Sequence, residues 1–190
     1  MIFVAGARIL HFTGLALLGV LGLVLLILSA PYRISRITAF LNPWEDPLGD
    51  GFQIIQSLYA IGPGGLMGLG LVNSLQKYFY LPEPQNDFIF AILSEELGFI
   101  GGTAIILLFA LLLWRGIKVS LEAPDLFGRL LGIGIVSMLA IQAMINISVV
   151  IGLIPVTGIT LPFLSYGGSS LTLTLCSVGI LLNISIYSKM

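Results

Sequence analysis

The chain has 190 residues, 57% of them apolar and 9% charged, with a formal net charge of −1 and a mean hydropathy of +1.09. That balance excludes a soluble globular domain and a disordered chain, and the near-neutral charge supplies no basic field for nucleic acid. What remains is an all-α integral membrane protein.

Taken in order, Phe12 to Ala30 is an uninterrupted apolar run long enough to cross a bilayer. Arg8 precedes it, as in a signal peptide, but the run is long, Leu28 is bulky near its end and Pro31 follows. We therefore read an uncleaved first span over 12–30. His11, alone at its start, reads as an interfacial residue rather than a ligand.

Residues 31–86 form the one long polar segment, with Arg33, Arg36 and Lys77 set against Glu45, Asp46, Asp50 and Glu83. Inside it, Phe52 to Leu75 is too apolar for an ordinary loop and too rich in glycine for a span. Broken at Gly62-Pro63-Gly64-Gly65, it reads as two short re-entrant or interfacial helices. The glycines are read as structural, with a phosphate nest as the other reading. Tyr78, Phe79 and Tyr80 suit an interfacial belt, or the lining of a groove for a lipid tail.

A second span covers 88–114, closed by Trp114 and Arg115. Its Gly98 and Gly102 form a small-xxx-small pair, fit for close approach by another helix. A short link with Arg115, Lys118, Pro124 and Arg129 leads to a third span over 130–153. An uncharged turn with Pro155 and Pro162 precedes a fourth over 168–187. Cys176 is alone in that last apolar run, so the chain has no internal disulfide and no cysteine metal cluster. The fold class is thus four transmembrane helices plus a long extracytoplasmic loop with short re-entrant or interfacial helices. The basic link marks the cytoplasmic side, which places both termini inside, in agreement with Arg8 and Lys189, and the 31–86 loop outside.

The second and third spans carry two carboxylates and two carboxamides. Gln142 and Asn146 share one face of the third, roughly 16 and 10 Å deep at the usual helical rise, and Glu95 and Glu96 lie roughly 12–14 Å along the second from Asp87. The depths overlap, so Glu96, Gln142 and Asn146, with Glu95, are expected to form a polar cluster that holds helices together. If the helix begins at Phe88, Glu96 points about 180° away from Asp87, and Glu95 about 80°. Asp87 itself, where the polar loop meets an apolar helix, is either an N-cap, a role Asn86 also suits, or a functional carboxylate.

Three stretches, FQIIQSLYAIGPGGLMGLGL, LPEPQNDFIFAILSEELGFIGG and GLIPVTGITLPFLSYGGSS, resemble in that order the SEDS family, the FtsW, RodA and SpoVE proteins of bacterial division, elongation and sporulation. The division and sporulation branch is nearer than the elongation branch. PQND stands where many members have a His-Thr-Asp-like run, with the aspartate kept as Asp87. The resemblance implies a ten-span protein of which this chain supplies four spans, so the chain alone is expected to be inactive. It also implies a peptidoglycan glycosyltransferase in the bacterial cytoplasmic membrane. Such an enzyme polymerises lipid II, a disaccharide-peptide on undecaprenyl pyrophosphate, with inversion at the anomeric carbon. Its partners would be a class B penicillin-binding protein and other divisome or elongasome proteins. The family's essential aspartate maps to Asp87, the expected catalytic base. Arg33, Arg36, Lys77 and Glu95 are the substrate-binding candidates. A divalent cation such as Mg2+ is the alternative counter-charge, with no ligand cluster visible in the sequence. Two other functions fit the same chain: a flippase for lipid II, and a non-catalytic scaffold that activates a penicillin-binding protein.

Overall fold

The computed structural model describes residues 6, 9–74 and 85–187. Within them the protein is helical, without strands: α1 (Ile9–Leu28), α2 (Pro31–Leu41), α3 (Phe52–Gly64), α4 (Ile89–Leu121), α5 (Leu126–Val150) and α6 (Gly168–Tyr187). Among the described residues, α4, α5 and α6 are each long and apolar enough to cross a membrane. A bent pair, Thr13–Leu28 and Tyr32–Leu41 at 99°, makes a fourth candidate. The expected all-α membrane architecture is therefore the one observed.

Helices α3, α4 and α5 form the centre, and α6 closes against α4 and α5. One apolar core, including Ala60, Phe88, Phe90, Phe109, Val149, Val150 and Leu161, gathers where α3, the start of α4, the end of α5 and the following loop meet. Burying a side chain such as Phe88, 1% exposed, contributes roughly 2–3 kcal/mol. Ser57 of α3, wholly buried, donates to the Val150 carbonyl at 2.7 Å and so ties α3 to the end of α5. A second core of Ile135, Val136, Leu139 and Leu181 joins α5 to α6 at the opposite end. By contrast, α1 packs chiefly on α2 and shows apolar side chains on nearly every side, as a lipid- or protein-facing helix does.

The helix expected to stop at Trp114 continues to Leu121. Arg115 and Lys118, expected in the link, are good helix formers and occupy its last turns, with Lys118 3.9 Å from Glu122. Asp125 then caps α5, its side chain accepting from the Gly128 amide at 2.7 Å, so α5 starts at Leu126 rather than 130. It ends at Val150 rather than 153, because the chain turns through Gly152 at φ +72°.

Two departures shape the site. The polar segment opens with a helix, α2, that the sequence reading passed over. The expected pair of short helices over Phe52–Leu75 is one helix, α3, running through Pro63 to Gly64, and residues 65–74 make turns instead. Those turns insert into α4. At Gly98 (φ 69°, ψ −167°) the helix is broken, in a region of backbone space open to little but glycine. In a regular helix the Phe99 and Ile100 amides would pair with the Glu95 and Glu96 carbonyls. Here they donate to Gly65 O at 2.8 Å and Leu66 O at 3.2 Å, while the two freed carbonyls accept from the Leu69 and Gly70 amides, each at 3.0 Å. Four main-chain groups that membrane lipid would leave unsatisfied are thus paired by a docked loop. Of the glycines in this segment, Gly65 gives its carbonyl and Gly70 its amide to α4, while the Gly62 and Gly64 carbonyls bond locally. Gly98 and Gly102, expected to admit a neighbouring helix, differ in role, since the segment that approaches Gly98 is this loop.

Candidate functional site

Asp87 lies in a turn just before α4, half-buried, at the end of the bundle where the first core gathers. Phe88 is the N-cap residue and α4 starts at Ile89, so Asp87 stands one place outside the cap. The helical-wheel angles that set it against Glu95 and Glu96 therefore do not apply: Asp87 is not on the helix. Its place is fixed by its neighbours. Phe88 is anchored in the core. The Asp87 carbonyl accepts from the Asn146 side-chain amide at 2.8 Å, and the Gln85 carbonyl accepts from the Tyr166 amide at 2.8 Å.

The loop between α5 and α6 forms one wall. Pro155 lies in it, and Gly158, at φ +71°, comes so close to Asp87 that an added Cβ would stand 3.7 Å from the carboxylate Oδ2. The loop is rigidly specified. Ser165 Oγ accepts from the Leu161 amide at 2.7 Å, while its own amide donates back to Leu161 O at 3.1 Å. Leu161 and Pro162 are buried, and Phe163 is held at φ +67°, a conformation rare for a residue with a side chain. Thr160 and Ser170 share a hydrogen bond at 2.9 Å that joins the loop to α6.

The candidate cations separate. Arg36 donates to the Val156 carbonyl at 3.2 Å, two residues from Gly158, so it borders the same loop as Asp87. It lines a cavity of about 270 Å³ with Leu48, Gly49, Asp50, Gln53 and Val156. Arg33 turns the other way, donating to the Leu26 carbonyl and to Tyr32 Oη and lying over the Tyr32 ring. It fastens the bend between α1 and α2. Lys77 and the aromatics Tyr78, Phe79 and Tyr80 lie outside the described residues.

The expected polar cluster is not assembled. Asn146, 1% exposed, gives both amide protons to main-chain carbonyls, of Asp87 at 2.8 Å and Ile159 at 2.7 Å, and so neither proton goes to Glu95 or Glu96. Glu95, also 1% exposed, accepts from Ser74 Oγ, which pins the docked 65–74 loop to α4 and leaves the carboxylate no surface to offer a substrate. Glu96 is buried with its Oε1 unpaired, and Gln142 is half-buried. The reason is competition: turns at helix ends expose carbonyls, and these take the buried donors first. Among the described residues, no three His, Cys, Asp or Glu side chains are gathered as a metal site.

Sequence reasoning did not single out Val156, Gly158, Ile159 or Tyr166, whose contributions are mostly main-chain atoms. Their signal was the run of Gly and Pro in an uncharged turn.

A broken membrane helix with a carboxylate at its mouth, walled by a well-specified loop, belongs to a multi-spanning membrane protein with a candidate site at one end of its bundle. The model of the FtsW, RodA and SpoVE cell cycle proteins matches residues 1–190, and the chain belongs to that family. It is 75% identical to stage V sporulation protein E of Bacillus subtilis, over 100% of this chain and 52% of that protein. It is 52% identical to the probable peptidoglycan glycosyltransferase FtsW of a Geobacter species, over 97% of this chain and 50% of that protein. A chain of a solved peptidoglycan synthase complex aligns with a TM-score of 0.70 at 36% identity, covering 99% of this chain and 52% of its own. The Thermus thermophilus rod shape determining protein RodA aligns with a TM-score of 0.54 at 34% identity, covering 95% of this chain and 58% of its own. The chain spans about half the length of the relatives it matches.

Proposed function

We propose that the chain forms the catalytic half of an inverting peptidoglycan glycosyltransferase that polymerises lipid II at the outer face of the bacterial cytoplasmic membrane. The observation that carries this reading is Asp87, held by its main chain at the mouth of the bundle with its carboxylate against the α5–α6 loop. In the reaction, an acceptor sugar hydroxyl attacks the anomeric carbon of the donor lipid II, the bond from that carbon to the pyrophosphate oxygen breaks, and the undecaprenyl pyrophosphate leaves with the electron pair. Asp87 takes the hydroxyl proton. The leaving group needs positive charge, and among the described candidate cations Arg36 borders the same loop. The relative named a probable peptidoglycan glycosyltransferase supports the reaction class. The 75% identity to a sporulation protein supports a role in sporulation. The solved complex, described as coordinating polymerization and crosslinking, supports a cross-linking partner, the role expected of a class B penicillin-binding protein.

A transport pathway through the bundle would draw on the intramembrane polar residues Glu95, Gln142 and Asn146, and two of those three are enclosed and spent on structural bonds. The test joins this chain to the N-terminal half of its B. subtilis relative and supplies labelled lipid II. Polymer formed without an ion gradient is expected. Movement of lipid II between leaflets without polymer would establish a flippase, and neither activity would leave a scaffold.

The reading also requires Asp87 on the outer face. In a Cys176→Ala background, since Cys176 is exposed, Leu48→Cys should react with an impermeant thiol reagent in intact cells and Glu122→Cys should not. Leu48 is 89% exposed and lies in the 31–86 segment, while Glu122 follows the far end of α4. The opposite labelling would place Asp87 on the side away from assembling cell wall.

A further inference from the structure

The side chain of Asn146, on α5, reaches two separate stretches of main chain at the site. Its Nδ2 lies 2.8 Å from the carbonyl of Asp87 and 2.7 Å from that of Ile159. Both partners are acceptors only, so the nitrogen must face them, and the orientation of the amide follows from chemistry. The Oδ1 is then turned away, buried and without a partner. An unsatisfied acceptor in a membrane-buried position is costly, and a leucine would avoid it. Its presence here is explained by what the other end of the amide does.

We propose that Asn146 is a positioning residue. Its amide clamps the main chain of Asp87 to the α5–α6 loop, and so sets where the Asp87 carboxylate stands relative to Gly158 and Arg36. The inference rests on the reading of Asp87 as catalytic base, but the clamp itself is a structural claim. Its geometry is a bridge between segments distant in sequence: α5 supplies the rigid post, the turn before α4 hangs from one proton and Ile159 from the other. A second tie, from the Tyr166 amide to the Gln85 carbonyl, joins the same two segments a few residues away, so the two bridges share one load. Loss of the first removes one of the ties that hold the turn against the α5–α6 loop. A shift of about 1 Å at a reacting group costs up to roughly a hundredfold in rate, without any need for unfolding.

Two measurements test this. The first needs no activity: hydrogen exchange at the Tyr166 amide in the purified chain in detergent. Asn146→Leu is expected to speed that exchange about tenfold or more, although Asn146 does not touch Tyr166, while amides in the middle of α5 keep their rates. Asn146→Ser, whose hydroxyl can donate one bond, is expected to fall between and serves if the leucine variant does not fold. Unchanged exchange at Tyr166 in the folded variant overturns the clamp. The second uses the chain joined to the N-terminal half of its B. subtilis relative. Asn146→Leu should lower kcat for lipid II polymerisation roughly ten- to hundredfold, leave KM within a few-fold, and be partly rescued by Asn146→Ser. A raised KM with normal kcat would overturn positioning. So would faster exchange with normal turnover. If Asp87→Asn protein is fully active, the reading of Asp87 fails instead, whatever the exchange result.

Discussion

In the chain joined to the N-terminal half of its B. subtilis relative, the proposed mechanism expects Asp87→Asn to lower polymerisation of lipid II by a factor of roughly a hundred or more, about 2.7 kcal/mol of transition-state stabilisation, while the protein remains folded. The structure says why the two effects separate. Asp87 is held through its carbonyl by Asn146, and that bond does not depend on the side chain. The cap position of α4 is Phe88, so the substitution removes no capping residue. Asn matches Asp in size beside Gly158, where the room is measured in a single van der Waals contact. What is lost is the ability to accept a proton from the attacking hydroxyl. The matched control is Glu96→Gln, which alters a more deeply buried carboxyl whose Oε1 has no hydrogen-bond partner. It is expected to change the rate less than threefold, because the proposed chemistry does not use it. A well-folded Asp87→Asn protein that polymerises at the normal rate would remove Asp87 from the mechanism.

How much of this was legible beforehand differs from residue to residue. The membrane helices were legible, since long apolar runs leave the backbone no other way to satisfy itself in lipid. Asp87 was legible because a carboxylate at the start of an apolar helix is unusual, and because the motif around it resembles a family's. The bonding of Asn146 was not. Periodicity put it on one face with Gln142 and pointed that face at Glu95 and Glu96, but periodicity describes side chains. The acceptors it met were main-chain carbonyls of Asp87 and Ile159, exposed by turns whose course the sequence leaves open. The same limit applies to Glu95, read as a substrate contact and found sealed against Ser74. Gly98 shows it most plainly. A glycine pair four apart reads as admitting another helix; instead a loop approaches at Gly98, and the nearest atoms at Gly102 belong to α4 itself, because main-chain hydrogen bonds that the pair does not specify decide what approaches.

Gly98→Ala should therefore be among the most destabilising single substitutions in the chain, costing about 3 kcal/mol or more, while Gly102→Ala four residues on costs less than about 1 kcal/mol. Two terms add at Gly98. Its φ of 69° and ψ of −167° lie where an alanine is strained by roughly 1–3 kcal/mol. A Cβ there would also stand 2.3 Å from the Gly68 amide nitrogen and 2.6 Å from the Leu66 carbonyl oxygen, both main-chain atoms that no rotamer change can move aside. Relief requires the loop to withdraw, and withdrawal unmakes the pairing of Phe99, Ile100, Glu95 and Glu96 with residues 65–70. The helix cannot simply close over the gap, because Gly64 and Gly68 also pack against the Ser94 and Glu96 carbonyls with no room for a side chain. At Gly102 the nearest atoms are Ser94 Oγ at 3.3 Å and Phe90 Cζ at 3.7 Å, side-chain atoms that can give by a few tenths of an ångström. Unfolding titrations in mixed micelles compare the two variants directly, and limited proteolysis reports the loop, with new cleavage within 65–74 expected for Gly98→Ala alone. Equal losses for the two glycines, with the loop equally protected, would show that α4 does not depend on the break for its stability.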